Sequence, residues 1–116
     1  SVFDFYTPVI IANNTFLAEE PETARAFLDA VSRGYEFAIE HPQEAGEILC
    51  KAAPELDPDL VKASQEYLAD KYQADAPQWG YIDQERWDAY YAWLNEKGLT
   101  ETPIEAGTGC SNEYLP

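Results

Sequence analysis

Between Pro21 and Glu40 the apolar positions Ala24, Phe27, Leu28, Val31, Tyr35, Ala38 and Ile39 return every three or four residues, laying one stripe along a helix. Pro21 suits the first helical position, where its missing N–H has no intrahelical partner to lose. A second stripe, Ala45, Ile48, Leu49 and Ala52, predicts a helix from Pro42 to Ala53, parted from the first by Pro42 and stopped by Pro54. Asp57-Pro58 reads as an N-cap and N1 proline that open a third helix through Leu60, Val61, Ser64, Leu68 and Tyr72, ending near Gln73. Ala74–Gly80 carries Pro and Gly with no period and predicts a loop. Asp83 then caps a fourth helix that runs to about Lys97 and is closed by Gly98, and 99–116 reads as an irregular tail.

The beginning of the chain follows another rule. Phe3–Ala12 is β-branched and aromatic and ends in Asn13-Asn14, which predicts one strand within residues 1–13 and then a turn. Pro8 would make it an edge strand. The expected fold is therefore mainly α, about four helices over 20–98 after one N-terminal strand, in a single partial domain. A lone strand cannot pair its own backbone groups, so its partner is expected either elsewhere in a longer chain or in a second copy.

Charge narrows the partners. Lys and Arg number 7 against 22 for Asp and Glu, a formal charge of -15, so a nucleic-acid backbone or an anionic membrane surface would be repelled. Yet 46% hydrophobic and 14% aromatic residues are too many for an acidic disordered tail, because their burial repays chain entropy. No run approaches the roughly 20 apolar residues that cross a bilayer, and Ser1-Val2-Phe3-Asp4-Phe5 does not read as a secretory leader.

Candidate chemistry is sparse. His41, the one histidine, sits between Glu40 and Pro42 where an imidazolium would meet a helix C-terminus, and no Ser–His or Cys–His arrangement accompanies it. Cys50 and Cys110 are too far apart and too few for a metal site and read as free thiols. Glu19-Glu20, Glu44/Glu47 and Glu55/Asp57/Asp59 read as helix starts and solvated faces. Asp57-Pro58-Asp59 lacks the central Gly and closing Glu of a calcium loop, so no metal is expected. Asn13-Asn14-Thr15 is a glycosylation sequon of little weight. Trp79, Tyr81, Trp87, Tyr90, Tyr91 and Trp93 form the most unusual local feature. On a helix Trp87, Tyr90, Tyr91 and Leu94 share a face while Trp93 points away, which suits a core face with a second contact, or a stacking wall for a flat ligand.

Three stretches, Asp4-Phe5-Tyr6-Thr7-Pro8-Val9-Ile10-Ile11-Ala12-Asn13, the helix Pro21–Glu40 with its end Tyr35-Glu36-Phe37-Ala38-Ile39-Glu40-His41-Pro42, and Trp79-Gly80-Tyr81-Ile82-Asp83, together resemble one family. It is that of ABC-transporter substrate-binding proteins for thiamine pyrimidine precursors, related to fungal pyrimidine synthases. The resemblance runs in order from Asp4 to the tail Gly109–Pro116 and places the chain as a C-terminal segment of an α/β type II periplasmic-binding-protein fold. It implies a hinge role for the opening strand and ligand contacts lying mostly upstream.

Strand alternation puts Asp4 and Tyr6 on one face and Phe5 and Thr7 on the other, with one of the two pairs facing the cleft that the resemblance implies, and Asp4 and Tyr6 are the ligand-binding candidates. Tyr6 would stack or offer its hydroxyl, or else simply pack at the hinge; Asp4 would accept hydrogen bonds from an exocyclic amine. The resemblance implies non-catalytic capture of a small heterocyclic solute, delivery to a membrane permease, and an extracytoplasmic location. No catalytic residue and no cofactor are expected in this chain. The fungal synthases need a cysteine-rich motif and a cofactor-bearing lysine, which nothing here matches, so a synthase-like enzyme is the alternative. A third reading is a small acidic module that self-associates through Trp93 and the opening strand.

Overall fold

Caps and prolines set the helix starts in the computed structural model, which describes residues 4–116. Asn13, expected in a turn, is instead the N-cap of α1 (Asn14–Glu19): its Oδ1 accepts from Thr15 N–H at 2.8 Å and Phe16 N–H at 3.3 Å. The long helix α2 (Pro21–Glu40) and α3 (Pro42–Ala52) each begin on the proline that the sequence marks. Asp57 Oδ1 accepts from Asp59 N–H at 2.9 Å and Leu60 N–H at 3.3 Å, capping α4 (Pro58–Leu68). Asp83 Oδ1 accepts from Glu85 N–H at 2.9 Å to cap α5 (Gln84–Glu96), which ends before Gly98 at φ +62°.

Two expectations need correction. The helix expected to run from Asp57 to about Gln73 stops at Leu68, and turns follow. Tyr72 N–H still donates to Leu68 C=O at 3.0 Å, its ring lies edge-on against Tyr35, 5.1 Å between centroids, and its hydroxyl donates to Gln65 Oε1 at 3.2 Å.

The larger correction concerns the opening segment and, with it, the α/β fold class. Among the described residues there is no strand; Asp4–Asn13 carries no ladder, and Ser1–Phe3 of the expected strand lie outside the described residues. The N-terminal strand and the α/β architecture are therefore absent from the described chain, and a mainly helical one stands. β-branched and aromatic residues suit a pleated surface only when a neighbouring strand supplies hydrogen bonds and side-chain contacts. Here the segment finds side-chain partners on α5 instead.

The described chain forms two compact units. One takes in Glu22–Tyr81 with Leu115–Pro116, the other the residues up to Pro21 with Ile82–Tyr114. In the first, α3 packs on α4 where buried Gly46 faces buried Val61, and Gln43 Nε2 donates to Glu66 Oε1 at 2.9 Å across the pair. Tyr35 on α2 is sandwiched between the edge-on Tyr72 and the Trp79 ring, which stacks on it at 4.4 Å. The second unit is α5 gripped by the opening segment and by the tail, and it holds both residues singled out from the sequence.

Candidate functional site

Arg86 lies in the first turn of α5, where the positive end of the helix dipole disfavours a cation. Two residues hold it there. Its Nε donates to Asp4 Oδ1 at 2.7 Å, and its guanidinium carbon sits 4.2 Å above the centre of the Tyr6 ring. Burial is the largest single influence and lowers the Arg86 pKa, but the contacts with Tyr6 and Asp4 and their charges together outweigh it, and the pKa is raised. The pair remains half in solvent, with Arg86 39% and Asp4 58% exposed, so its contribution to stability is at most about 1 kcal/mol.

Tyr6 is fixed by its other end as well. Its hydroxyl accepts from the Asp83 N–H at 3.0 Å, so one phenol oxygen satisfies an orphan donor at the very start of α5. Its ring lies 6.4 Å from that of Trp87, and Phe5 stacks on Tyr90 at 4.7 Å. Asp4, Phe5 and Tyr6 thus address Arg86, Tyr90 and Trp87 in turn, with no strand required.

The structure therefore brings the two sequence-selected residues together, through a third that sequence reasoning missed. A signal for Arg86 existed: it is the single cation in the α5 sequence QERWDAYYAWLNE, placed where the dipole opposes it. Asp4 uses one acceptor site on Arg86, and an ionised carboxylate offers about four. The arrangement can present a fixed carboxylate and an aromatic ring to a ligand carrying amino groups.

The aromatic run divides between structural roles. Trp87 meets Tyr91 edge-on at 5.9 Å, Tyr90 stacks with Trp93 at 5.8 Å, and Trp79 belongs to the Tyr35 nest. Trp93, expected to point away from the face, is half-buried against Tyr90. His41 packs beside Phe37 at 5.1 Å between ring centres and lines a shallow depression of about 290 Å³ with Glu40, Pro42, Gln43 and Glu44. A second open depression of about 330 Å³ lies over Val31, Gly34, Tyr35, Ala38 and Tyr72. Neither holds Asp4 or Tyr6. Cys50 and Cys110 are both free thiols. No group of three or more metal-ligating side chains is found among the described residues. No helix among them is long and apolar enough to cross a membrane.

Comparison with known proteins adds relatives to this geometry. Residues 1–45 match the family model described as NMT1/THI5 like. The formylaminopyrimidine-binding protein of Halalkalibacterium halodurans is 29% identical over 84% of this chain, and the riboflavin-binding protein RibY of Chloroflexus aurantiacus 24% identical over 99% of it. The 4-amino-5-hydroxymethyl-2-methylpyrimidine phosphate synthase of Candida albicans is 36% identical over 96% of it. The chain spans only 31%, 34% and 31% of those three proteins, about a third of their length. The match at 1–45 and the alignments along nearly the whole chain agree with the resemblance carried by its residues, and the chain is similar to the NMT1/THI5-like family over its first 45 residues.

Proposed function

We propose that this chain is a C-terminal segment of a solute-binding protein that captures a small heterocycle of the pyrimidine or flavin class. The observation that carries the reading is the alignment of two binding proteins across 84% and 99% of the chain. Asp4 and Tyr6 contact the solute: the carboxylate accepts from an exocyclic amine, and the ring edge left beside Arg86 packs on the heterocycle. Large apolar side chains left in solvent, Ile11 at 87% and Leu60 at 69%, support packing against further polypeptide. Such a protein works outside the cytoplasmic membrane and hands its solute to a permease of an ABC transporter, closure on the solute being the signal.

Titration calorimetry of the intact protein with formylaminopyrimidine and with riboflavin tests this. Saturable binding, with the solute recovered unchanged, is expected for one of them. Asp4→Asn should weaken it by about tenfold or more, the loss of a charge-assisted hydrogen bond. No binding of either class overturns the reading. A synthase segment is the second reading, favoured by the 36% identity of the Candida albicans enzyme over 96% of the chain. In that case the intact protein consumes its substrates and releases a phosphorylated pyrimidine that mass spectrometry detects, whereas a binding protein makes no new product.

A further inference from the structure

The tail after α5 forms no helix or strand among the described residues, yet side chains pin it at regular intervals. Asn95 Nδ2 donates to Ile104 C=O and Asn95 Oδ1 accepts from Ile104 N–H, both at 2.8 Å. Asp88 Oδ1 accepts from Gly107 N–H at 2.9 Å, and the Cys110 thiol donates to Gln84 Oε1 at 3.4 Å. Asn112 closes the series: its Oδ1 accepts from Ile82 N–H and its Nδ2 donates to Ile82 C=O, both at 2.8 Å. Gln84, Asp88, Tyr91 and Asn95 recur at the four- and three-residue spacing of one stripe on α5. Arg86, Trp87 and Tyr90 make up the neighbouring stripe that meets Asp4, Phe5 and Tyr6.

Two tail residues bear on that neighbouring stripe. Asn112 grips Ile82, which precedes Asp83, the residue whose N–H holds the Tyr6 hydroxyl. Gly109, at φ +85°, lies where a Cβ would run into the Tyr91 hydroxyl and come within 3.2 Å of Trp87 Nε1. Trp87 Nε1 is itself a buried donor with no hydrogen-bond partner. Its ring position is therefore set by packing, between Tyr6 on one side and the Gly109 backbone on another. Glycine suits this place twice over, for its left-handed backbone and for the close approach.

We infer that Asn112 and Gly109 are positioning residues for the Asp4–Tyr6–Arg86 cluster: the tail sets the start of α5 and the Trp87 ring, and through them the solute-contacting side chains. This rests on the reading of that cluster as solute-facing. A solute contact built on an exposed pair needs such support, because neither Asp4 nor Arg86 is held by burial.

The Asn95 clamp is a matched control, since it makes the same pair of backbone hydrogen bonds at the far end of α5, away from Tyr6. In the intact protein, Asn112→Ala and Asn95→Ala should lower the melting temperature alike, while Asn112→Ala alone weakens solute binding by about tenfold. A double-mutant cycle of Asn112→Ala with Tyr6→Phe should be non-additive in solute affinity, and one of Asn95→Ala with Tyr6→Phe additive. Equal loss of affinity in the two asparagine variants, or none in either while Tyr6→Phe still weakens binding, overturns the positioning role and leaves the site standing. If Tyr6→Phe and Asp4→Asn both bind solute as the unaltered protein does, the site and the inference fall together. Gly109→Ala, if it folds, should match Asn112→Ala in affinity; unaltered affinity there counts against the role of Gly109.

Discussion

Replacing Gly46 by alanine is expected to stabilise the α3–α4 pair, and the structure supplies the magnitude. Gly46 sits inside α3, where glycine is about 1 kcal/mol less favourable than alanine because more backbone freedom is lost on folding. An added Cβ would lie 3.5 Å from Val61 Cγ1, 3.7 Å from Gln65 Cγ and 3.9 Å from Lys62 Cα. Those are ordinary van der Waals distances, so no neighbour must move, and the methyl adds up to about 0.8 kcal/mol of burial. Gly46→Ala should therefore gain about 1 to 1.5 kcal/mol, a rise of roughly 4–8 °C per kcal/mol in a unit of this size. Thermal and urea unfolding of the chain, followed by far-ultraviolet circular dichroism, reads both quantities. Gly46→Leu provides the opposite sign, since further carbons would have to enter the space that Val61 fills, at a cost of about 1–3 kcal/mol. A lower melting temperature for Gly46→Ala would refute the reasoning, because it would require the helices to approach more closely than these distances.

Three further outcomes follow from named contacts. Asp57→Ala removes the acceptor for Asp59 N–H and Leu60 N–H and should cost about 1 kcal/mol in urea unfolding, while Asp57→Asn, which keeps an acceptor, should cost less than half of that. Arg86→Lys keeps the charge but loses the flat guanidinium over Tyr6; about 0.5–1 kcal/mol should be lost, and the same substitution beside Tyr6→Leu should lose little more than Tyr6→Leu alone. Burial, and next the charge of Asp88, raise the Cys110 thiol above its ordinary 9.0, against a smaller lowering by Gln84. The folded chain then keeps a proton that the unfolded chain has lost, so this contribution to stability is full below pH 9.0 and disappears as pH rises through the raised folded value. Urea unfolding on either side of that range should show a steeper alkaline loss in the parent than in Cys110→Ser, and Asp88→Asn should speed labelling of the thiol.

Legibility in the sequence followed the range of the forces involved. Pro21, Pro42 and Pro58 mark helix starts because a proline acts on its own turn, and Asp57 and Asp83 cap because an acceptor need reach only two or three residues onward. Asn13 has the same chemistry, yet the apolar run before it suggests a strand that should end there in a turn. That run misled for a physical reason: β propensity describes the fit to a neighbouring strand, and the described residues provide none. The end of α4 at Leu68 carries no such local mark, since no Pro or Gly stands between Leu68 and Gln73 and Tyr72 continues the apolar period past it.

At the candidate site the sequence could select Asp4 and Tyr6 by alternation and resemblance, yet not the residue that joins them. Arg86 is 82 positions from Asp4, and Asn112 is 30 from Ile82; no local preference reports contacts of that length. The sequence by itself determined where most helices begin, that the chain is acidic and aromatic, and which family it resembles, because caps, prolines and residue order are properties of the chain alone. Only the tertiary structure decided that the opening segment lies on α5 without a strand, that Arg86 holds Asp4 and Tyr6, and that the tail grips the same helix. Those outcomes depend on which distant side chains can satisfy one another at the same time, a condition that exists only once the chain is folded.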